Sequence, residues 1–168
     1  MQTGMARPNQ FRVDLQFPDY VSGGANAAQL GRFHCKATSL PSSTVSPVPI
    51  YFLGRQVNVA GEREFQPWTI TIYNENFRVR DAFEQWSNGF NNITNNTGIL
   101  SPTQYQRDMT CVQLDRNGLE IKKYVMIDCF PIQVGEIQLD FEANNQVEMF
   151  QVVMQYNFFT SSNVNVSA

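Results

Sequence analysis

The chain has 168 residues, of which 42% are hydrophobic and 16% charged, with a net charge of −3. That length supports one domain around a single sizeable core. The acidic balance excludes a basic footprint for gripping nucleic acid, and every apolar run falls far short of the roughly 20 residues of a membrane-spanning helix. Charged residues are scarce beside the usual share of about 25%. Asn, Gln, Ser and Thr take their place, as in a surface that neighbouring subunits cover. Cys35, Cys111 and Cys129 form no CxxC pair. They read as reduced, buried thiols, and with no secretory pattern at the N-terminus the chain is expected to be made in the cytoplasm.

In chain order, Phe11, Val13, Leu15 and Phe17 alternate with polar residues and predict a half-buried strand. Ser22–Ala28 reads as a loop and Leu30–Thr38 as a second strand. Leu40–Pro49, with its prolines, serines and threonines, reads as extended and non-regular. Residues 50–60 predict a hairpin turning near Gly54, with Val57 and Val59 alternating against polar neighbours. Such an arm cannot bury enough surface to hold itself in place, so it is expected to lie on another subunit. Trp68, Ile70 and Ile72 mark a strand that Pro67 can open. Val79, Ala82, Phe83, Trp86 and Phe90 recur at helical spacing and predict a helix over about 76–89. Asn74 or Asn76 is placed to cap that helix and Gly89 to end it.

Residues 91–104 read as loop. The strands Asp108–Leu114 and Lys122–Phe130 flank Asp115-Arg116-Asn117-Gly118, a strong hairpin signal. Ile137, Leu139 and Phe141 alternate again. Val147–Phe159 predicts one strand about 13 residues long, twice the usual length, with Phe150, Val152, Met154, Tyr156 and Phe158 on one face. Thr160–Ala168 reads as a flexible tail. The sum is a single domain over 1–168, mainly β, with eight or nine strands and one helix.

No motif carries chemistry. His34 is the sole histidine and cannot build a usual zinc site. The carboxylates are scattered, with Glu136, Asp140 and Glu142 read as a solvated face, and no phosphate-binding glycine loop is present. The Asn-Xaa-Ser/Thr matches at Asn92, Asn95 and Asn165 lack a secretory route. Trp68, Phe83, Trp86 and Phe90 read as helix–sheet core. Arg55 and Arg63 bracket the arm, where a guanidinium can meet a neighbour's carboxylate.

Four stretches carry a family resemblance: ARPNQFRVDLQFP at 6–18, KATSLPSSTVSPVPIYFLGRQVNVAGEREFQPWTITIYNENF at 36–77, AFEQWSNGF at 82–90, and VQLDRNGLEIKKYVMIDCFPIQVGEIQLDFEANNQVEMFQVVMQYNFF at 112–159. In this order and length the chain resembles the tail tube protein of contractile-tailed bacteriophages. The family also resembles the tubes of tailocins and extracellular injection particles and, more remotely, the Hcp tubes of type VI secretion.

The resemblance implies an antiparallel β-sandwich or barrel with one flanking α-helix and a protruding β-hairpin arm at about 41–64. It implies a structural protein of the virion tail, with no enzymatic activity and no cofactor. Hexameric rings would stack into a hollow conduit, with inter-ring contacts from Ile50, Tyr51, Phe52, Leu53 and Gly54 on one side of the turn and Arg55, Val57, Val59 and Arg63 on the other. Implied partners are further copies of the chain, the tail sheath protein, a baseplate or tube initiator, a tail terminator, and the tape measure protein and genomic DNA in the lumen. A bore that conducts DNA must not hold it, so its wall is expected to be neutral to acidic. The alternatives are a tube for protein cargo, or an initiator or terminator, which usually carries extra domains.

Overall fold

The computed structural model describes residues 6–144 and 146–163, Asn163 by its backbone alone. The strands are β1 (Phe11–Asp14), β2 (Cys35–Thr38), β3 (Ser43–Phe52), β4 (Arg55–Phe65), β5 (Trp68–Tyr73), β6 (Arg107–Leu114), β7 (Glu120–Val134), β8 (Met149–Gln155) and β9 (Phe158–Asn163). The helices are α1 (Gly24–His34), α2 (Arg78–Phe90) and the single turn α3 (Pro102–Tyr105).

Seven strands form one antiparallel sheet: six follow the path β1-β6-β7-β8-β5-β2, and β9 pairs with β7 off that path. The long strand β7 serves two layers. Its first half, Lys122–Ile127, pairs with β9 and β6, while Phe130–Val134 pairs with β8. At the bend Asp128 adopts φ 58°, a left-handed conformation that Asp tolerates better than most residues. Asn157 sits opposite and ties the corner: its N–H donates to the Ile127 carbonyl at 3.0 Å and its Nδ2 to Asp128 Oδ2 at 2.9 Å.

The layers enclose one apolar core. In β5, Trp68, Ile70 and Ile72 are fully buried while Thr69, Thr71 and Tyr73 are half-buried, the alternation of a pleated strand. Beside them in the same sheet are Val152 and Met154 of β8, and Met109, Cys111 and Met126 of the other layer join the same core. Helix α2 closes one side with Val79, Ala82, Phe83 and Trp86. Phe17 meets the Phe83 and Trp86 rings edge-on at 5.0 and 5.6 Å. The indole N–H groups of Trp86 and Trp68 donate to the carbonyls of Tyr105 and Ser39, each at 2.7 Å, so burial leaves neither orphaned. Phe90 lies on the rim, half-buried against Tyr105 and Phe130.

Several sequence expectations are corrected. Residues 24–34 are helix, not loop and strand, so the sandwich has two full helices and a third short turn rather than one. Gly24, Ala27 and Gly31 form the buried stripe of α1. A Cβ at Gly31 would lie 2.5 Å from Leu15 Cδ1, so a side chain there would have to displace the end of the buried Leu15. Neither asparagine caps α2: Phe77 stands at its N-cap with φ 57° and no side-chain hydrogen bond, and Asn74 instead bonds Glu148. Gly89 lies within the last turn, where a Cβ would strike the Tyr20 ring at 2.2 Å.

The long final strand is two strands, β8 and β9, because the chain changes layers at the Asn157 corner. Thr160–Asn163 belong to β9 rather than to a loose tail, and 164–168 lie outside the described residues. The described residues between 135 and 148 form no strand. Ile137 is half-buried there, but Leu139 and Phe141 point outward.

Candidate assembly interface

The hairpin β3–β4 is a sheet of its own, bonded to no other strand among the described residues. It begins seven residues earlier than the sequence suggests, and the proline-rich stretch is strand. Its register runs from Ser43↔Phe65 to Phe52↔Arg55, closing on the two-residue turn Leu53-Gly54. Both turn residues have positive φ, 46° and 76°, the handedness that matches strand twist in a two-residue hairpin. Counting back from that turn, Pro49 and Pro47 occupy the positions whose nitrogens face outward. They remove no ladder bond and they blunt the outer edge of β3 against further strand pairing.

At mid-arm the register shifts, with Val45 opposite Arg63 and Pro47 opposite Ala60. This bulge bends and twists the hairpin. Gly61 makes it possible, because a Cβ there would sit 2.5 Å from the Ser46 carbonyl oxygen. The arm is fixed at its root. Phe65 packs edge-on against Tyr156 and Phe159 at 6.1 and 5.6 Å, and the Gln66 N–H donates to the Ser42 carbonyl at 3.3 Å. From there it extends roughly 30 Å at about 3.4 Å per residue.

Register assigns the side chains to faces. Val48, Ile50 and Phe52 share one face with Val59, Val57 and Arg55. Tyr51, Gln56 and Asn58 share the other with Pro47 and Pro49, and Gln56 Nε2 donates to Asn58 Oδ1 at 3.0 Å. The first face is apolar apart from Arg55, yet its members are exposed, Phe52 by 68%. Leu53 at the turn is 88% exposed. Arg63 donates to Ser43 Oγ at 3.0 Å, and Arg55 makes no ion pair among the described residues. An apolar face without a core, on a two-stranded sheet that is marginal alone in water, is a surface built to be covered.

The body also has open margins. Among the described residues, the four-residue strands β1 and β2 end the sheet path and β9 is paired on one side only. Each leaves unpaired N–H and C=O groups along an edge.

The body offers little chemistry. Burial pushes the thiols up, Cys35 to about 12, Cys111 to about 11 and Cys129 to about 12, so none is a ready thiolate. His34 is engaged through Nε2 with Glu75 Oε2 at 3.1 Å. No cluster of three or more metal-ligating side chains occurs among the described residues.

The model of one family, described as phage tail tube protein, matches residues 6–162. The chain belongs to the phage tail tube protein family. Tail tube protein gp19 of Enterobacteria phage T4 is 31% identical over 156 residues, which cover 92% of this chain and 90% of that protein. The tail tube protein of Serratia phage KSP90 is 26% identical, over 91% of this chain and 86% of its own. Among solved structures, a chain of the anti-feeding prophage baseplate superposes with a TM-score of 0.67 at 12% identity, covering 99% of this chain and 100% of that one. A chain of an extracellular contractile injection system, the PVC sheath–tube complex in its extended state, gives 0.62 at 13% identity, covering 97% and 95%. These two likenesses show a shared fold. The tail tube family is structural rather than enzymatic, and its place is the virion tail.

Proposed function

We propose that this tail tube subunit closes into six-membered rings through the margins of its sheets, and that the rings stack head to tail through the β3–β4 arm into a hollow conduit. The observation that carries this reading is the arm: an anchored hairpin with an exposed apolar face that no other part of the described chain covers. Joining open edges between copies satisfies backbone groups that a single copy leaves to water, as barrel closure does. A head-to-tail contact propagates without closing, which makes a tube of any number of rings. Burying the arm's half-exposed apolar side chains adds on the order of 1 kcal/mol each.

The tube sits within a contractile sheath, between a baseplate or initiator at one end and a terminator at the other. The tape measure protein and then the genome pass along its bore. A net charge of −3 suits a wall over which DNA slides, because phosphate contacts from basic residues supply grip. A bore lined by lysine and arginine would contradict that element.

The test is negative-stain microscopy of the purified protein beside a chain lacking residues 50–60. The full chain is expected to give rings and tubes of uniform bore. The deletion is expected to keep the far-ultraviolet circular dichroism of the body and to lose stacking. Normal tubes from the deletion would overturn the role of the arm.

A further inference from the structure

A second unusual surface lies in the body. The long connection from β7 to β8, described at 135–144 and 146–148, frames with the sheet beside it a cleft of about 1040 Å³. Cavities that hold drug-sized molecules run to roughly 300–1,000 Å³, so this one has room for several side chains. Both ends of the segment are pinned. The Gly135 N–H donates to the Gln151 carbonyl at 2.6 Å, and the Gly135 carbonyl accepts from Arg80 Nη1 at 2.7 Å. At the far end the Asn74 N–H donates to the Glu148 carbonyl and Asn74 Nδ2 to the Glu148 carboxylate, both at 2.8 Å. Asp140 Oδ1 accepts from the Glu142 N–H at 2.9 Å and shapes the tip.

The chemistry of this segment is one-signed. Between 135 and 148 stand Glu136, Asp140, Glu142 and Glu148 with no lysine, arginine or histidine. Beside them Leu139 is 80% exposed and Phe141 fully exposed. The outer part of the arm, residues 47–60, is the opposite: it is mainly apolar, its one charge is Arg55, and it has no carboxylate. Its turn is built at a local cost. Leu53 adopts φ 46°, where an L-residue with a bulky side chain is disfavoured by about 1–2 kcal/mol and Asn or Gly would sit easily. A leucine in that conformation, held out in water, is explained by a pocket elsewhere that receives it.

We propose that the arm tip of one copy seats in the 135–148 cleft of a second copy, with Leu53 and Phe52 against Leu139 and Phe141 and the Arg55 guanidinium among the cleft carboxylates. The inference rests on the proposed role of the arm in stacking and names the surface that receives it. The two patches are complementary in charge and both apolar. They lie on different parts of the fold, so the contact is heterologous and repeats along a stack.

The test is a disulfide between copies, made with Leu53→Cys and Phe141→Cys in a Cys35→Ser background; the remaining cysteines, Cys111 and Cys129, are fully buried. Tubes are first confirmed by microscopy, then oxidised and run on a denaturing gel without reductant. A ladder of dimers and longer multimers is expected. A control pair, Leu53→Cys with Leu100→Cys, which is 95% exposed, is expected to stay monomeric. Tubes that yield no Leu53–Phe141 ladder would overturn the cleft as the seat while leaving arm-mediated stacking in place. Tubes from the chain lacking 50–60 would remove that underlying reading instead. Should the cysteine pair itself prevent assembly, charge exchange decides. Arg55→Glu is expected to lower tube yield roughly tenfold or more, and adding Glu136→Lys and Asp140→Lys, at carboxylates that line the cleft, to restore it; failure of the exchange to restore tubes would overturn the proposal.

Discussion

Strand β5 and the arm strands β3 and β4 have the same alternation and opposite fates. Trp68, Ile70 and Ile72 of β5 are sealed in the core, whereas Val48, Ile50, Phe52, Val57 and Val59 stand in water on a hairpin that pairs with no other strand among the described residues. Period-two patterning therefore reports that a face is to be covered, not which molecule covers it. In β5 the cover is the opposite layer and the residues of α2 that share the core. In the arm no cover is found among the described residues, and a family of tube-forming proteins supplies a reason for it.

Substitutions separate the two regions by their effect on the body, largest first. Trp86→Ala removes a fully buried indole and leaves the Tyr105 carbonyl without its donor. It is expected to cost about 3–5 kcal/mol in urea unfolding and to abolish tubes through loss of the fold. A loss below about 1 kcal/mol would contradict the packing described. Next comes pH. Burial raises Cys111 and Cys129 from an ordinary value of 9.0 to about 11 and 12, so the folded body favours the neutral thiols. Their stabilising contribution is fully present below pH 9 and is lost as pH rises through the 9–12 window. Urea midpoints measured from pH 8 to 10.5 are expected to fall, and to fall less in a Cys111→Ala, Cys129→Ala variant.

Gly61→Val places a side chain against the Ser46 carbonyl at the arm's bulge. It is expected to distort the hairpin and reduce tube yield, with little change in the body's melting temperature. Phe52→Asp has the smallest effect on the monomer, within about 0.5 kcal/mol because the site is exposed, and a large effect on assembly. Equal unfolding midpoints beside absent tubes would be read in paired urea titrations and micrographs. A core-sized loss from Phe52→Asp would mean that the arm folds back on its own body.

Much of this was legible before the structure. The strand at 68–73, the apolar stripe of α2 and the hairpin at Asp115–Gly118 each follow from periodicity and turn chemistry. In the last, the Gly118 N–H donates to the Asp115 carbonyl at 2.9 Å and Gly118 has φ 77°. Helix α1 was not legible because its buried stripe is made of Gly24, Ala27 and Gly31, residues that carry almost no hydrophobic signal; only their spacing betrays it. The split of β8 from β9 was hidden because alternation continues through Tyr156, while the change of layer is set by Asn157 meeting Asp128 from a distant strand. The cleft escaped for a similar reason. Leu139 and Phe141 alternate as a strand would, and only the three-dimensional anchors at Gly135 and Glu148 show that the segment stands away from the sheet.

Amide hydrogen exchange across β3 and β4, compared between isolated subunits and assembled tubes, measures the arm's need for another copy most directly. In the subunit the arm amides are expected to exchange within seconds to minutes while Ile70 and Val152 stay protected, and in the tube the arm amides are expected to slow by at least about a hundredfold. Equal protection of the arm in both states would show a hairpin that is complete by itself, and would contradict an arm finished by its neighbour.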